Sequence, residues 1–278
     1  MQTFLKLGRV SNLPTVWTNA LAGAVLAGVP DASTILLVGL ALSVLYIGGM
    51  WLNDAFDAEI DARERANRPI PKGEITRGAV FAGGFGLLGG GVVLAFTLGG
   101  DAGLAGLGLA GVIILYDWLH KRTAFSPVIM GAARFFCYLV AALAVGRITA
   151  SVGLGALGLM AYTAGLTYAA KQEAYDRLES AWPLAILAVP LLYALVGTGG
   201  DPLALTIWAG LLAVVLLALR RLFRRDKGDV PRAVVTLIAA MALYDAVLIA
   251  GAGQTLLVFP ALAGFGLTLL LQRLVSGT

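Results

Sequence analysis

An acidic motif at the end of an apolar stretch is the strongest chemical feature of the chain. Asn53, Asp54, Asp57 and Asp61 follow a segment long enough to cross a membrane. On an α-helix these positions lie within about 100° of arc, so their side chains share one face. Carboxylates this close repel one another unless a cation lies between them. Because Mg²⁺ takes oxygen ligands and combines one or two carboxylates with substrate phosphates, the motif predicts a Mg²⁺ site.

Basic residues follow this motif closely. They are Arg63, Arg65, Arg68, Lys72 and Arg77. Arginine binds phosphate with a bidentate pair of N–H groups, so this segment is expected to hold a diphosphate next to the metal, with Arg68 as a ligand. The alternative interpretation is a solvated loop in which the acids pair with the nearby arginines.

A second charged segment lies near the middle of the chain. Glu173 and Asp176 are about one helical turn apart and are predicted to hold a second Mg²⁺. Lys171 lies two residues before Glu173, where it is expected to contact a diphosphate. The alternative is an ordinary charged helix end in which Arg177 pairs with Glu173.

Arg134 is a charged residue within an apolar segment. Such a residue is expected to face a polar cavity or a charged partner, because an ionisable group in lipid is costly. Two interpretations remain open: Arg134 faces the diphosphate, or it pairs with an acid such as Glu173 or Asp245. The single histidine, His120, and the single cysteine, Cys137, are expected to be structural.

Composition indicates an all-α, polytopic membrane protein. Of the 278 residues, 59% are hydrophobic and only 13% are charged, about half the charged fraction of a soluble domain. One helical domain over residues 1–278, with membrane lipid and no nucleic acid as partner, is expected. Segments of the length needed for a membrane span lie at 11–29, 34–53, 78–98, 102–118, 127–146, 152–171, 182–199, 203–221, 232–251 and 255–272.

The distribution of basic residues predicts the orientation. If the N-terminus is inside, nearly all of the 20 basic residues fall on the inner side of the membrane. The short outer turns carry Asp31, Asp101 and Asp201 instead. Cytoplasmic loops are enriched in Lys and Arg, so both termini and the loops that carry the site are expected in the cytoplasm. The expected location is a prokaryotic plasma membrane.

The first motif resembles a signature of the UbiA superfamily of intramembrane prenyltransferases. The matching pattern is Asn53-Asp54-x-x-Asp57-x-x-x-Asp61, followed by Asn67-Arg68-Pro69-Ile70-Pro71-x-Gly73. A segment around Tyr116, Lys121 and Arg122 is similar to a further family segment. The resemblance extends over residues 5 to about 250.

This resemblance implies nine helices around a central cavity that opens towards lipid. Two acidic motifs would bind Mg²⁺ and an isoprenyl diphosphate, whose prenyl group passes to an acceptor. By position, Asn53, Asp54, Asp57 and Asp61 would bind metal. Arg68, Lys121 and Arg122 would contact the diphosphate. The sequence does not identify the acceptor.

The chain departs from the family pattern in three places. Its second motif is altered around Lys171, many relatives carry asparagine where this chain has Arg134, and the segment 255–272 is an extra span. Because of the altered motif, a second interpretation stays open. The protein would then carry an isoprenoid or cyclise a terpene instead of transferring a prenyl group. A transporter is a third possibility, but transporters bind near the midplane, whereas these charges cluster at one face.

Overall fold

The computed structural model describes residues 2–28, 30–175 and 181–275, without the side chains of residues 172–175. These residues form helices and contain no strand, so the predicted all-α architecture is confirmed. The α-helices are α1 Gln2–Leu7, α2 Leu13–Ala27, α3 Ala32–Phe56, α4 Ala58–Glu64, α5 Arg77–Thr97, α6 Gly100–Leu119, α7 Ser126–Val145, α8 Ala150–Tyr175, α9 Ala188–Gly197, α10 Pro202–Arg224, α11 Asp229–Gly251 and α12 Thr255–Leu274. Short 3₁₀ helices, Val10–Asn12 and Trp182–Leu187, precede α2 and α9.

Eight helices in the described part of the chain are long and apolar enough to cross a membrane. They are α3, α5, α6, α7, α8, α10, α11 and α12. The other two predicted spans form shorter elements: α2 has 15 residues, and the apolar segment Trp182–Gly197 combines a 3₁₀ helix with α9. The predicted segments are therefore all helical, but they differ in length.

The acidic residues in the short turns begin helices. Asp31 accepts a hydrogen bond from the backbone N–H of Thr34 at 2.9 Å, and Asp201 accepts one from that of Ala204 at 2.8 Å. Each carboxylate satisfies a donor that the first turn of a helix leaves unpaired. These aspartates therefore fix where α3 and α10 begin.

Helix α11 lies at the centre of the bundle. Within its most apolar 18-residue stretch, 83% of the residues are buried, and it packs against α2, α8, α10 and α12. A helix that is apolar on all sides is expected in such a position. Two tyrosine hydroxyls tie it to α8: Tyr162 donates to the carbonyl of Leu237 at 2.9 Å, and Tyr244 donates to that of Gly155 at 3.0 Å.

The segment after α3 is held close to the end of that helix. Helix α3 ends at Phe56, and α4 begins two residues later. Arg77, the first residue of α5, donates from Nε to the carbonyl of Ala55 at 2.8 Å and contacts Glu59 at 2.9 Å. The acidic motif therefore spans the junction of two helices instead of one continuous helix, which gives Asp57 and Asp61 different surroundings.

We predict that Gly131→Ala destabilises the bundle. A Cβ atom at this position in α7 would lie closer than 3.0 Å to the backbone carbonyl oxygen of Met160 in α8. Backbone cannot move aside as a side chain can, so overpacking should lower the free energy of unfolding by about 1–3 kcal/mol. Gly90→Ala in α5 is the control, since no atom lies within 4 Å of its Cβ position. Equal free energies of unfolding for the two variants, measured in detergent, would contradict this prediction.

Candidate functional site

Arginine side chains surround the first part of the acidic motif. Asp54 is buried, and its Oδ1 accepts hydrogen bonds from Arg9 Nη2 at 3.0 Å and from Arg68 Nη1. Arg9 also donates to Asn53 Oδ1 at 2.9 Å, and Arg68 Nε lies 3.8 Å from Asp61 Oδ2. The acids therefore contact arginines, as the alternative interpretation of the sequence expected, and the two arginines join three residues of the motif.

Asp57 faces a different pair of cations. Its Oδ2 lies 3.1 Å from His120 Nε2 and 3.9 Å from Lys121 Nζ, both just beyond α6. Burial acts to raise the pKa of Asp57, but the hydrogen bond and charge of His120, together with Lys121, bring that pKa below its usual value. His120 therefore contacts the motif directly. The sequence interpretation of His120 as structural missed this contact.

The pKa of Asp61 shifts in the opposite direction. Burial raises this pKa, and the negative charges of Asp54 and Asp57 raise it further, while Arg68 opposes the shift. Two carboxylates of one motif therefore differ in their affinity for protons. A cation bound near Asp61 would relieve the repulsion that raises its pKa.

Asp117 holds the asparagine of the motif from the other side. It is buried near the end of α6 and accepts a hydrogen bond from Asn53 Nδ2 at 3.0 Å. Among the described atoms, its Oδ2 is buried without a hydrogen-bond partner. Asn53 thus lies between Arg9 and Asp117, which orients its amide. The segment around Tyr116 resembles a family segment, but its sequence pattern predicted no role for Asp117.

A cavity of about 590 Å³ opens beside this cluster. Asn53 and Asp57 line it, and Asp57 is the only acid among the described lining residues. The basic side chains that line it are Arg9, Arg65, Arg68, Lys121, Arg122, Arg134 and Lys171. The apolar wall consists of Met50, Met130, Leu166, Val234, Ile238 and Met241. The cavity therefore combines a strongly cationic region with an apolar one, which suits a molecule with an anionic head and a hydrocarbon tail.

Most predicted site residues meet at this cavity. Asp54 and Asp61 do not line it, but both contact Arg68, which does. Lys171 lines the cavity, with its Nζ 3.4 Å from the carbonyl of Thr123. The structure describes neither Asp176 nor the side chain of Glu173, so the second predicted metal site lies outside the described residues.

Arg134 lies on the cavity wall without a direct acidic partner among the described side chains. It donates to Asn19 Oδ1 at 2.8 Å and to Thr15 Oγ1 at 3.2 Å. Asn19 in turn donates to Asp245 Oδ2 at 2.7 Å. The alternative pairing of Arg134 with Asp245 is therefore indirect, with one amide group between the two charges. Its pairing with Glu173 concerns a side chain outside the described part of the structure.

The donor set fits Mg²⁺ only in part. The first motif offers hard oxygen ligands, but no three acidic, histidine or cysteine side chains among the described residues are close enough to hold a metal by themselves. Mg²⁺ commonly uses one or two carboxylates and completes its coordination with substrate phosphates and water. The surplus of cations in the cavity suits such phosphates.

Comparisons with known proteins agree with this geometry. The model of the UbiA prenyltransferase family matches residues 14–241. A relative from Pyrococcus horikoshii, named digeranylgeranylglyceryl phosphate synthase, is 28% identical over 267 residues, covering 93% of this chain and 92% of the relative. A relative of the same name from Methanopyrus kandleri is 30% identical over 258 residues, covering 91% of this chain and 90% of the relative.

Solved structures share the fold. The apo structure of a UbiA homologue from Aeropyrum pernix K1 has a TM-score of 0.70 at 17% identity, covering 87% of this chain and 97% of that one. A UbiA homologue from Archaeoglobus fulgidus bound to DMAPP and Mg²⁺ has a TM-score of 0.56 at 14% identity, covering 95% and 99%. The chain belongs to the UbiA prenyltransferase family, and it is an integral membrane prenyltransferase.

Proposed function

We propose that the protein transfers a geranylgeranyl group from its diphosphate to the hydroxyl of a geranylgeranylglyceryl phosphate. The names of the relatives that match over nine-tenths of the chain support this choice. Removing one geranylgeranyl group from digeranylgeranylglyceryl phosphate leaves this acceptor. The observation that carries the proposal is the cavity, in which seven cations face an apolar wall, because both substrates are anionic lipids.

The metal would bind at the first motif. Asn53, Asp54, Asp57 and Asp61 are the proposed ligands there, and Glu173 and Asp176 are the proposed ligands of a second ion. Bound Mg²⁺ would neutralise negative charge on the diphosphate and so make diphosphate a better leaving group. Of the first-motif ligands, Asn53 and Asp57 line the cavity, and the contacts of Asn53 with Arg9 and Asp117 support this placement.

The proposed diphosphate ligands are Arg68, Lys121, Arg122 and Lys171. Arg68 and Lys121 already contact carboxylates of the motif, so they lie within reach of a diphosphate bound to the same carboxylates. Such cations stabilise negative charge that develops on a leaving group. His120, which contacts Asp57, would hold that carboxylate in position.

In the reaction, the bond between C1 of the prenyl group and the diphosphate oxygen breaks, and its electron pair leaves with diphosphate. The hydroxyl oxygen of the acceptor forms the new bond to C1, and its proton is released. The cationic residues act on the charge of the leaving group, while the apolar wall holds the chain of the donor. We place this site at the cytoplasmic face of one transmembrane domain, with both termini in the cytoplasm.

We predict that Asp57→Asn abolishes transfer without unfolding the protein. The variant loses a proposed metal ligand and the charge that faces His120 and Lys121, so kcat should fall by a factor of about 10² or more. Glu59→Gln is the matched control, because Glu59 lies two residues away with 80% of its side chain exposed. Product formation by Asp57→Asn at the rate of Glu59→Gln would contradict the assigned role.

We predict that removing divalent ions stops turnover and that Mg²⁺ restores it. Ca²⁺ should restore much less activity, because it prefers six to eight ligands at longer distances than Mg²⁺. Product would be measured after chelation and after addition of each ion. Full activity in the chelated protein would exclude a metal role for the first motif.

The substrate assay tests the function itself. Purified protein would receive labelled geranylgeranyl diphosphate, Mg²⁺ and geranylgeranylglyceryl phosphate. The expected result is diphosphate release together with a doubly prenylated glyceryl phosphate. A cyclic hydrocarbon would indicate a terpene cyclase, and tight binding without turnover would indicate a carrier, so either result would refute the proposal.

A further inference from the structure

Arg134 lacks the contact with the first motif that three other cations of the cavity make. Arg9, Arg68 and Lys121 each lie within 4.0 Å of a motif carboxylate. Those three residues lie outside the helices, whereas Arg134 lies eight residues into α7, about 12 Å along that helix from its first residue. Its two described hydrogen-bond acceptors are neutral oxygens of α2, Asn19 Oδ1 and Thr15 Oγ1.

No described carboxylate lies within salt-bridge distance of Arg134. A cation within a membrane-spanning helix normally faces a counter-ion or a binding site, because desolvating its charge is costly. Asp245 provides a negative charge nearby, but the amide of Asn19 separates it from the guanidinium. Arg134 therefore keeps part of its charge available to a ligand in the cavity that it lines.

The orientation of Arg134 is fixed from the centre of the bundle. Asp245 on α11 is fully buried and accepts hydrogen bonds from Asn19 at 2.7 Å and from the hydroxyl of Tyr138 at 2.5 Å. Asn19 donates to Asp245 with its Nδ2, which leaves its Oδ1 to accept from Arg134. A flipped amide would place its NH₂ group against the guanidinium, so Asp245 determines which atom faces Arg134.

We propose that Arg134 is a second anion subsite that binds the phosphate of the acceptor, apart from the diphosphate site at the first motif. This inference rests on the proposed function, in which both substrates carry phosphate. Two anionic head groups in one cavity repel each other unless each has its own cations. In a glyceryl phosphate the hydroxyl lies only a few bonds from the phosphate, so a phosphate held at Arg134 also positions the attacking oxygen. Asn19 and Asp245 are positioning residues for this subsite.

The first test compares the phosphate acceptor with geranylgeranylglycerol, the same molecule without phosphate. The wild-type protein should prefer the phosphate acceptor in kcat/KM. Arg134→Met should raise the KM for this acceptor by about 10- to 100-fold, because the variant loses a hydrogen bond between charged groups. The variant should also lose most of the preference for the phosphate acceptor. The KM for geranylgeranyl diphosphate should stay within about twofold, and Arg134→Lys should restore part of the preference.

The second test separates positioning from packing. Asp245→Asn and Tyr138→Phe alter the network behind Arg134 and should raise the acceptor KM by about 3- to 10-fold without changing the donor KM. Tyr162→Phe is the matched control, because it removes an equally buried tyrosine hydroxyl that bonds to the carbonyl of Leu237 instead. The control should leave both KM values unchanged.

Several outcomes would overturn the inference. If Arg134→Met raises the donor KM instead, Arg134 belongs to the diphosphate site. If both acceptors lose activity equally, its role is structural. Wild-type protein that forms no product from the phosphate acceptor refutes the proposed function by itself. Binding of radiolabelled geranylgeranylglyceryl phosphate, measured without donor, then still judges the subsite: weaker binding by Arg134→Met supports it, and equal binding overturns it.

Discussion

Charge placed within a helical membrane bundle must be compensated by other groups of the chain, and this constraint shapes the whole site. An uncompensated ion in a low-dielectric interior costs several kcal/mol, so each buried acid requires donors from elsewhere in the sequence. Asp54 receives them from two arginines, and Asp245 receives them from Tyr138 and Asn19. The contacts of Asp245 join helices that are distant in sequence, so these polar groups fix how α2, α7 and α11 face one another.

In the proposed function, the two polar clusters bind different substrates. The cluster at the first motif lies at helix ends, where carboxylates and cations occur together and an ion with its phosphate ligand can replace contacts within the protein. The cluster behind Arg134 lies among buried residues and is tied to the central helix, so it is rigid. A transfer reaction benefits from both properties, because one substrate must lose a group while the other is held in a fixed orientation.

The sequence predicted the helical architecture well, because apolar length determines it. The role of the first motif in metal binding stays a prediction, and its residues lie on two helices instead of one. The sequence did not predict the exact bounds of α2, which begins at Leu13 after the 3₁₀ helix Val10–Asn12 and ends before Gly28, because apolar length alone does not define where a helix begins and ends. Contacts between distant segments were also beyond it. Asp117 lies at the end of the fourth predicted span and His120 just beyond it, and only the packing of α6 against α3 brings them to Asn53 and Asp57.

The last helix supports the wall of the cavity from behind, although it lies far from the acidic motif in sequence. Gln272 of α12 donates a hydrogen bond to Asn12, which lines the cavity, and Gly264 packs against Thr18 of α2. A membrane protein inserts its helices in order as the ribosome synthesises them. The N-terminal wall of the cavity therefore acquires this support only when the C-terminal helix emerges. In a nascent chain that lacks α12, the segment that carries Asn12 is without its contact from Gln272.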